Sequence, residues 1–138
     1  MPVIVYRAKN YQVDGEPAEL THKIYPDGEI KTVEKTNDYF LSITRWKQDG
    51  NLYVRSYLKD DCEIEIRTYK NNELHSEDDE PAVIRNFDDF TSKIEKWYKD
   101  GKLHRANNLP AVIEDYEFSD VYKRYNYFEG ELISEYSA

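Results

Sequence analysis

Cysteine occurs once in this sequence, at Cys62, so no internal disulfide can form and nothing requires an oxidising compartment. A lone thiol of this kind is expected in the core. Long apolar runs are scarce too. The opening MPVIVYRAKN holds only four consecutive apolar or aromatic residues, Val3 to Tyr6, too short for a signal-peptide apolar region or a membrane span. A cytoplasmic protein with no membrane partner is the expectation. Methionine occurs once, and the Ala/Leu richness of helical proteins is missing; 13 tyrosines with many threonines and isoleucines favour strands instead. Basic residues are the minority, 19 against 28 acidic, giving a formal net charge of -9. That charge repels phosphate backbones unless the basic side chains gather on one face, which disfavours direct nucleic-acid binding. At 138 residues the chain falls in the single-domain range and can bury roughly two-thirds of its unfolded surface.

What is present is a repeat. YKNNELHSEDDEPAVIRNF (Tyr69 to Phe87) and YKDGKLHRANNLPAVIEDY (Tyr98 to Tyr116) align without a gap at an offset of 29 residues, carrying His75 onto His104 and Pro81 onto Pro110. A further 29 residues from Gly101 lies Gly130, in YFEGELISEY, where a third unit begins. Upstream the similarity loosens. DGEPAEL (Asp14 to Leu20) resembles the segment leading into PAVI, while YPDGEI and WKQDGNLYV resemble the turn, and from Gly28 to Gly50 to Asn72 the spacing is 22. The expected organisation is a single domain, 1–138, with degenerate N-terminal hairpins over 1–60 and regular 29-residue repeats over 61–138.

Asp27-Gly28, Asp49-Gly50, Asn71-Asn72, Asp100-Gly101 and Glu129-Gly130 each lie between stretches rich in β-branched and aromatic residues, the short-range signal of a hairpin. Gly28, Gly50, Asn72, Gly101 and Gly130 supply the positive φ of a tight turn. Between turns, Cys62, Ile64 and Ile66 alternate with Glu63, Glu65 and Arg67, as a strand with one wet face requires. Ser92 to Lys99 and Asp120 to Phe128 alternate less cleanly, as if both faces were partly covered. A helix over Asp120 to Tyr136 is the alternative there, and Glu129-Gly130 would interrupt it. The predicted fold is all-β, an antiparallel hairpin or meander array.

WYKDGKLHRANNLPAVIE resembles the W-Y-x-N/D-G-x-L-H-R-x-D/N-G-P-A-x-I repeats found in tandem in proteins of bacteriophages and large DNA viruses, which are similar to MORN-type hairpin repeats. The likeness covers Tyr69 to Glu114 well, the C-terminal unit moderately and the first 60 residues in fragments. It implies a stack of β-hairpins and transfers no catalytic residue. The chain departs from the pattern at Asn72, where Gly is usual, at Ser76, where Arg is usual, and at Glu80 and Leu109, where Gly precedes Pro. A less tightly turned loop is expected before each Pro-Ala.

His75 and His104 recur with carboxylates nearby, at Glu77, Asp78 and Asp79. A metal site needs three or four converging ligands, and a histidine in one slot of every repeat more naturally bonds the next hairpin's backbone. His22 has no partner that the sequence identifies. Glu77-Asp78-Asp79-Glu80 lacks the spacing of a calcium loop and reads as a solvated turn; Asp60-Asp61 and Asp88-Asp89 read as polar turn pairs. No phosphate cradle, nucleophile elbow or HExxH occurs, and no serine stands in a nucleophile context. The expectation is a protein that is not an enzyme and uses no metal or cofactor.

The aromatic residues point elsewhere. Trp46, Trp97, Tyr98, Tyr122, Tyr125 and Tyr127 lie at or near hairpin ends, where most are core and a surplus is exposed as interface anchors. With Glu77, Asp78 and Asp79 beside them they fit a protein partner with a basic surface. The leading expectation is a non-enzymatic protein-binding module, in a viral setting one that inhibits a host defence protein in the host cytoplasm. Two alternatives stand beside it: an acidic DNA mimic, and a nucleotide-binding protein using arginines such as Arg67, Arg85, Arg105 and Arg124. Sheet edges at both ends of an array invite self-pairing, so a homodimer is a further expectation.

Overall fold

The computed structural model describes residues 2–87, 92–116 and 121–137. Among them the chain is all-β, without a helix. The strands are β1 (Ile4–Arg7), β2 (Gln12–Val13), β3 (Glu16–Pro17), β4 (Glu19–Ile24), β5 (Ile30–Lys35), β6 (Tyr39–Gln48), β7 (Asn51–Asp60) and β8 (Glu63–Lys70). They continue as β9 (Glu73–Leu74), β10 (Val83–Phe87), β11 (Lys93–Lys96), β12 (Tyr98–Lys99), β13 (Lys102–Leu103), β14 (Val112–Tyr116), β15 (Val121–Phe128) and β16 (Glu131–Ser137). One antiparallel sheet runs in the order β1-β4-β5-β6-β7-β8-β10-β11-β14-β15-β16, with β9 beside β8. It is a meander that does not close, so β1 and β16 are its edges. The alternative of a helix over Asp120 to Tyr136 is excluded, since β15 and all of β16 but Ser137 fall within that stretch. Asp88-Asp89 lies outside the described residues.

The turns explain the meander. Asp49-Gly50, Asn71-Asn72, Asp100-Gly101 and Glu129-Gly130 place both central residues at positive φ, the mirror-image turn whose twist matches the strands it joins. Asn72, at φ 68, substitutes for glycine because asparagine tolerates the left-handed region. At the opposite end of the sheet the Asp60 carboxylate accepts from the Cys62 and Glu63 amides, at 2.7 and 2.8 Å, which starts β8 at Glu63. Cys62 is therefore exposed on a turn, against the expectation of a core thiol.

A compact monomer of 16.5 kDa would expose about 7,600 Å², whereas this chain exposes 9374 Å², so much of the sheet is a single layer. The buried apolar residues among those described are Ala82, Val83, Ile94, Trp97, Ala111 and Val112, four of them from the two PAVI strings. Backbone bonds of 2.8 Å, Thr68 N to Ala82 O, Ala82 N to Lys96 O, Trp97 N to Ala111 O and Ala111 N to Tyr125 O, extend the ladders past the strand ends. They set Thr68, Ala82, Trp97 and Ala111 in one row across the strands. The row alternates small and large side chains, which lets an indole lie between close-set backbones.

The N-terminal half has a polar knot of its own. The Glu34 carboxylate accepts from the Tyr11 hydroxyl at 2.5 Å and from the Tyr39 hydroxyl. These two bonds hold Glu34 below its ordinary range, and the bond to Glu34 pushes the Tyr39 hydroxyl up to about 12. A carboxylate depressed in the folded state adds stability above its unfolded pKa and loses it as the pH falls. A tyrosine raised in the folded state adds stability below its unfolded value of 10.0 and loses it as the pH rises toward 12. Wild type should thus lose stability relative to Glu34→Gln both below pH 4.5 and between pH 10 and 12. Urea titrations of the two proteins across pH check this; equal slopes in both windows would exclude the knot as their source.

Candidate functional site

The units at Tyr69 and Tyr98 each send a short hairpin and a return loop off the end of the sheet, and they stack there with the turn between β15 and β16. The hairpin tips form a ladder. Gly101 N donates to Leu74 O at 3.1 Å, and one unit on, Gly130 N donates to Leu103 O at 2.8 Å. A side chain at Gly101 would abut Glu73, one at Gly130 would abut Lys102, and φ is near +80 to +90 at both, so these positions suit glycine. Asn71 N to Leu52 O at 2.7 Å joins the first regular unit to the hairpin before it.

The return loops are tight, contrary to the expectation drawn from Glu80 and Leu109. Asp78-Asp79 and Asn107-Asn108 have positive φ at both residues, closed by Glu80 N to Glu77 O at 2.9 Å and Leu109 N to Ala106 O at 3.3 Å. Asp and Asn reach this conformation without glycine. In the N-terminal copy, DGEPA, Asp14-Gly15 makes the same turn between β2 and β3.

Between the loop of one unit and the hairpin of the next lies a groove of about 420 Å³, lined by His75, Ser76, Asp79, Trp97, Tyr98 and Arg105 among others. Trp97 forms its floor. The indole N–H donates to Asp79 O at 2.9 Å, and the Arg105 guanidinium lies 3.8 Å from the ring centroid. Arg105 also grips the Asp79 carboxylate with two bonds, 3.0 and 3.2 Å, and donates to Pro110 O at 3.1 Å. Those bonds hold the Asp79 carboxyl below its usual value. One side chain thus ties two units together.

A second groove of about 290 Å³ follows, lined by Arg105, Asn107, Asn126, Tyr127, Phe128 and Ile133 among others. It is the first groove translated by one unit. Asn126 stands 29 residues after Trp97 and donates to Asn108 O at 2.7 Å, the counterpart of the indole bond to Asp79. Ser76 N to Tyr98 O at 2.8 Å becomes Arg105 N to Tyr127 O at 3.4 Å.

His104 accepts the Glu129 amide at Nδ1, at 3.1 Å, and leans on Phe128 with ring centroids 4.8 Å apart; it bonds the next hairpin's backbone. His75 lies 3.2 Å from Glu77 through Nε2, and its buried Nδ1 has no hydrogen-bond partner. His22 shares a 2.8 Å bond with Thr32. Among the described residues no three His, Cys, Asp or Glu side chains converge to hold a metal ion, and no helix is long and apolar enough to cross a membrane.

Of the residues expected to meet a partner, Trp97, Tyr98 and Asp79 meet in the first groove and Tyr127 lies in the second. Trp97 is only 4% exposed, because Arg105 and the return loop cover it, so it is not the exposed anchor expected. Trp46 lies apart, half-buried and stacked on Tyr53 at 5.5 Å. Tyr122 is exposed beside Tyr136, and Tyr125 is half-buried opposite Val112. Asp78 is exposed and Glu77 half-buried. The four arginines considered for a nucleotide do not converge. Arg67 and Arg85 pair with Glu65 and Glu63 on one face of the sheet, Arg124 pairs with Asp115 on the other, and Arg105 is held by Asp79. Arg105 as the tie between units was missed. Its signal was the Ser76-to-Arg105 difference between otherwise similar units.

Compared with known proteins, the chain matches no protein-family model, no curated protein and no solved structure.

Proposed function

We propose that this is a non-enzymatic protein-binding module that takes an extended basic segment of a partner along its two neighbouring grooves. The observation that carries this reading is the same groove occurring twice, side by side, with Arg105, Ala106 and Asn107 in the wall of both. A repeated concave surface suits an extended chain, which meets equivalent contacts at a fixed interval. Tyr98 and Tyr127 offer half-buried rings at equivalent positions, and Asp78, Glu80, Asp100 and Glu129 are exposed on the return loop and hairpin turns next to the grooves, with Lys99 in the wall of the first. On the MORN-like, viral reading of the repeats, the partner would be a host protein inhibited in the host cytoplasm.

Affinity capture from the native host's lysate, at low and high salt, tests it. One stoichiometric protein should be retained at low salt and lost at high salt, and Asp78→Asn with Glu80→Gln should weaken its capture several-fold without disturbing the turn. Capture that ignores both salt and the double substitution would sink the groove reading, and an empty capture would sink the module.

A further inference from the structure

We propose that one face of the sheet, across β4, β5, β6, β7 and β8, binds single-stranded nucleic acid, with cations on its phosphates and aromatic rings against its bases. Directly opposed residues share a face, and every second residue of a strand returns to it. The registers therefore place Lys23, Lys31, Lys35, Arg55, Lys59 and Lys70 on one side of these strands. The same strands carry one carboxylate on that side, Glu19, opposite Lys35. Glu77 stands by the Tyr53 hydroxyl at the rim. Their other carboxylates, Glu34, Asp60, Glu63 and Glu65, lie on the opposite side. A net charge of -9 repels phosphates when the basic side chains are dispersed; here they gather on one face, which reverses the local field.

These cations are not occupied within the chain. Among the described residues every ion pair lies elsewhere, and the one side-chain hydrogen bond of the set runs from Arg55 Nε to the Thr68 hydroxyl at 3.4 Å. Farther along the same side, by contrast, Lys93 and Arg124 are neutralised by Glu95 and Asp115, at 3.4 and 2.8 Å. Lys23 and Lys31 are direct cross-strand partners, a like-charge pair that costs stability in the free protein and that a bound anion relieves. With Arg55 they form one row across four adjacent strands, a span of about 14 Å at the usual strand spacing. Beside that row, Trp46 and Tyr53 stack with ring centroids 5.5 Å apart and 11° between planes. Arg55 lies 5.9 Å from the Trp46 centroid and Lys70 6.0 Å from that of Tyr53, the outer limit of a cation–π contact, so neither cation is committed to its ring. Rings next to unpaired cations suit a strand whose bases are free to stack; an acidic peptide would use the cations and leave the rings idle.

Fluorescence anisotropy with labelled oligo(dT) and oligo(rU) of about 12 nucleotides, a length within the range of one such site, tests this at rising salt. Binding should be measurable at low salt and fall steeply, with a log–log slope of about 0.7 for each phosphate contacted, and the ratio of the two affinities says whether DNA or RNA is preferred. Lys31→Glu turns the repulsive pair with Lys23 into an attractive one. It should raise the unfolding midpoint while weakening binding about fivefold or more, so misfolding cannot account for the loss. In a Trp97→Phe background Trp46 is the only tryptophan, and its emission should change as the oligonucleotide saturates the face. Asp78→Asn with Glu80→Gln, which weakens capture at the grooves, should not weaken this binding, so the two surfaces can fail separately. No binding of either strand, a duplex or polyglutamate held as tightly as oligo(dT), a Lys31→Glu variant that binds unchanged, or Trp46 emission that ignores saturating ligand would overturn the proposal.

Discussion

Trp97→Ala should lower the free energy of unfolding by about 3–5 kcal/mol, the range for removing a buried aromatic side chain that its surroundings cannot collapse to replace. The site cannot collapse because its walls are backbone. Ala82 and Ala111 flank Trp97 in adjacent strands, joined by ladder bonds of 2.8 Å. The loss also propagates. Without the ring, Arg105 has nothing to stack on and the Asp79 carbonyl loses its donor, so two return loops loosen together. Trp97→Phe keeps most of the volume and removes only the N–H, and should cost less, about 1 kcal/mol for the bond plus a smaller packing loss. Denaturant unfolding of the three proteins measures this. A Trp97→Ala loss below about 1 kcal/mol would show that the units stack without the indole.

Ala111→Leu should be costly for the converse reason. Ala111 is 0% exposed, and its cross-strand neighbours are Trp97 and Asn126, so three added carbons have no space except that of the indole. Overpacking of this kind costs about 1–3 kcal/mol and sometimes more. Ala82→Leu, also at 0% exposure, meets the same ring from the other side and should behave alike. Ala106→Leu, on the exposed return loop, should stay within about 0.5 kcal/mol. Thermal unfolding of the set checks the ranking. Equal midpoints for Ala106→Leu and Ala111→Leu would mean that the row is not close-packed.

The hairpin turns were legible because each is local, a matter of two residues whose φ is fixed by their own chemistry, whereas the wet and dry faces expected of Glu63 and Glu65 against Ile64 and Ile66 do not appear, since Glu63 to Arg67 are all half-buried. The PAVI strings were legible as a repeat, though not as the core, since burial at Ala82 and Val83 depends on strands that come back from elsewhere. Cys62 was misplaced by extending the alternation one residue too far, past the point where the Asp60 side chain ends the strand. Trp97 was misplaced because an aromatic residue near a hairpin end is exposed or buried according to what folds over it. Here the cover is Arg105, eight residues on, clamped to Asp79 in the preceding unit. The loops before Pro-Ala were expected to slacken without glycine, yet Asp78-Asp79 and Asn107-Asn108 make the same turn, a capacity of Asp and Asn that a glycine pattern hides.

The ladder of hairpin tips also bears on how such a chain could have arisen. Gly101 N donates to Leu74 O and Gly130 N to Leu103 O, while the first regular unit, with Asn72 in the glycine's place, donates from Asn71 N to Leu52 O, so a middle unit is both acceptor for the next and donor to the last. A tandem duplication of 29 codons would add a segment whose joints at both ends already exist, and its first substitutions could accumulate in the groove residues while the stacking residues kept the copy folded. Trp97 against Asn126, and Ser76 against Arg105, are the differences such a history leaves: two copies of one joint, diverged where they line a groove.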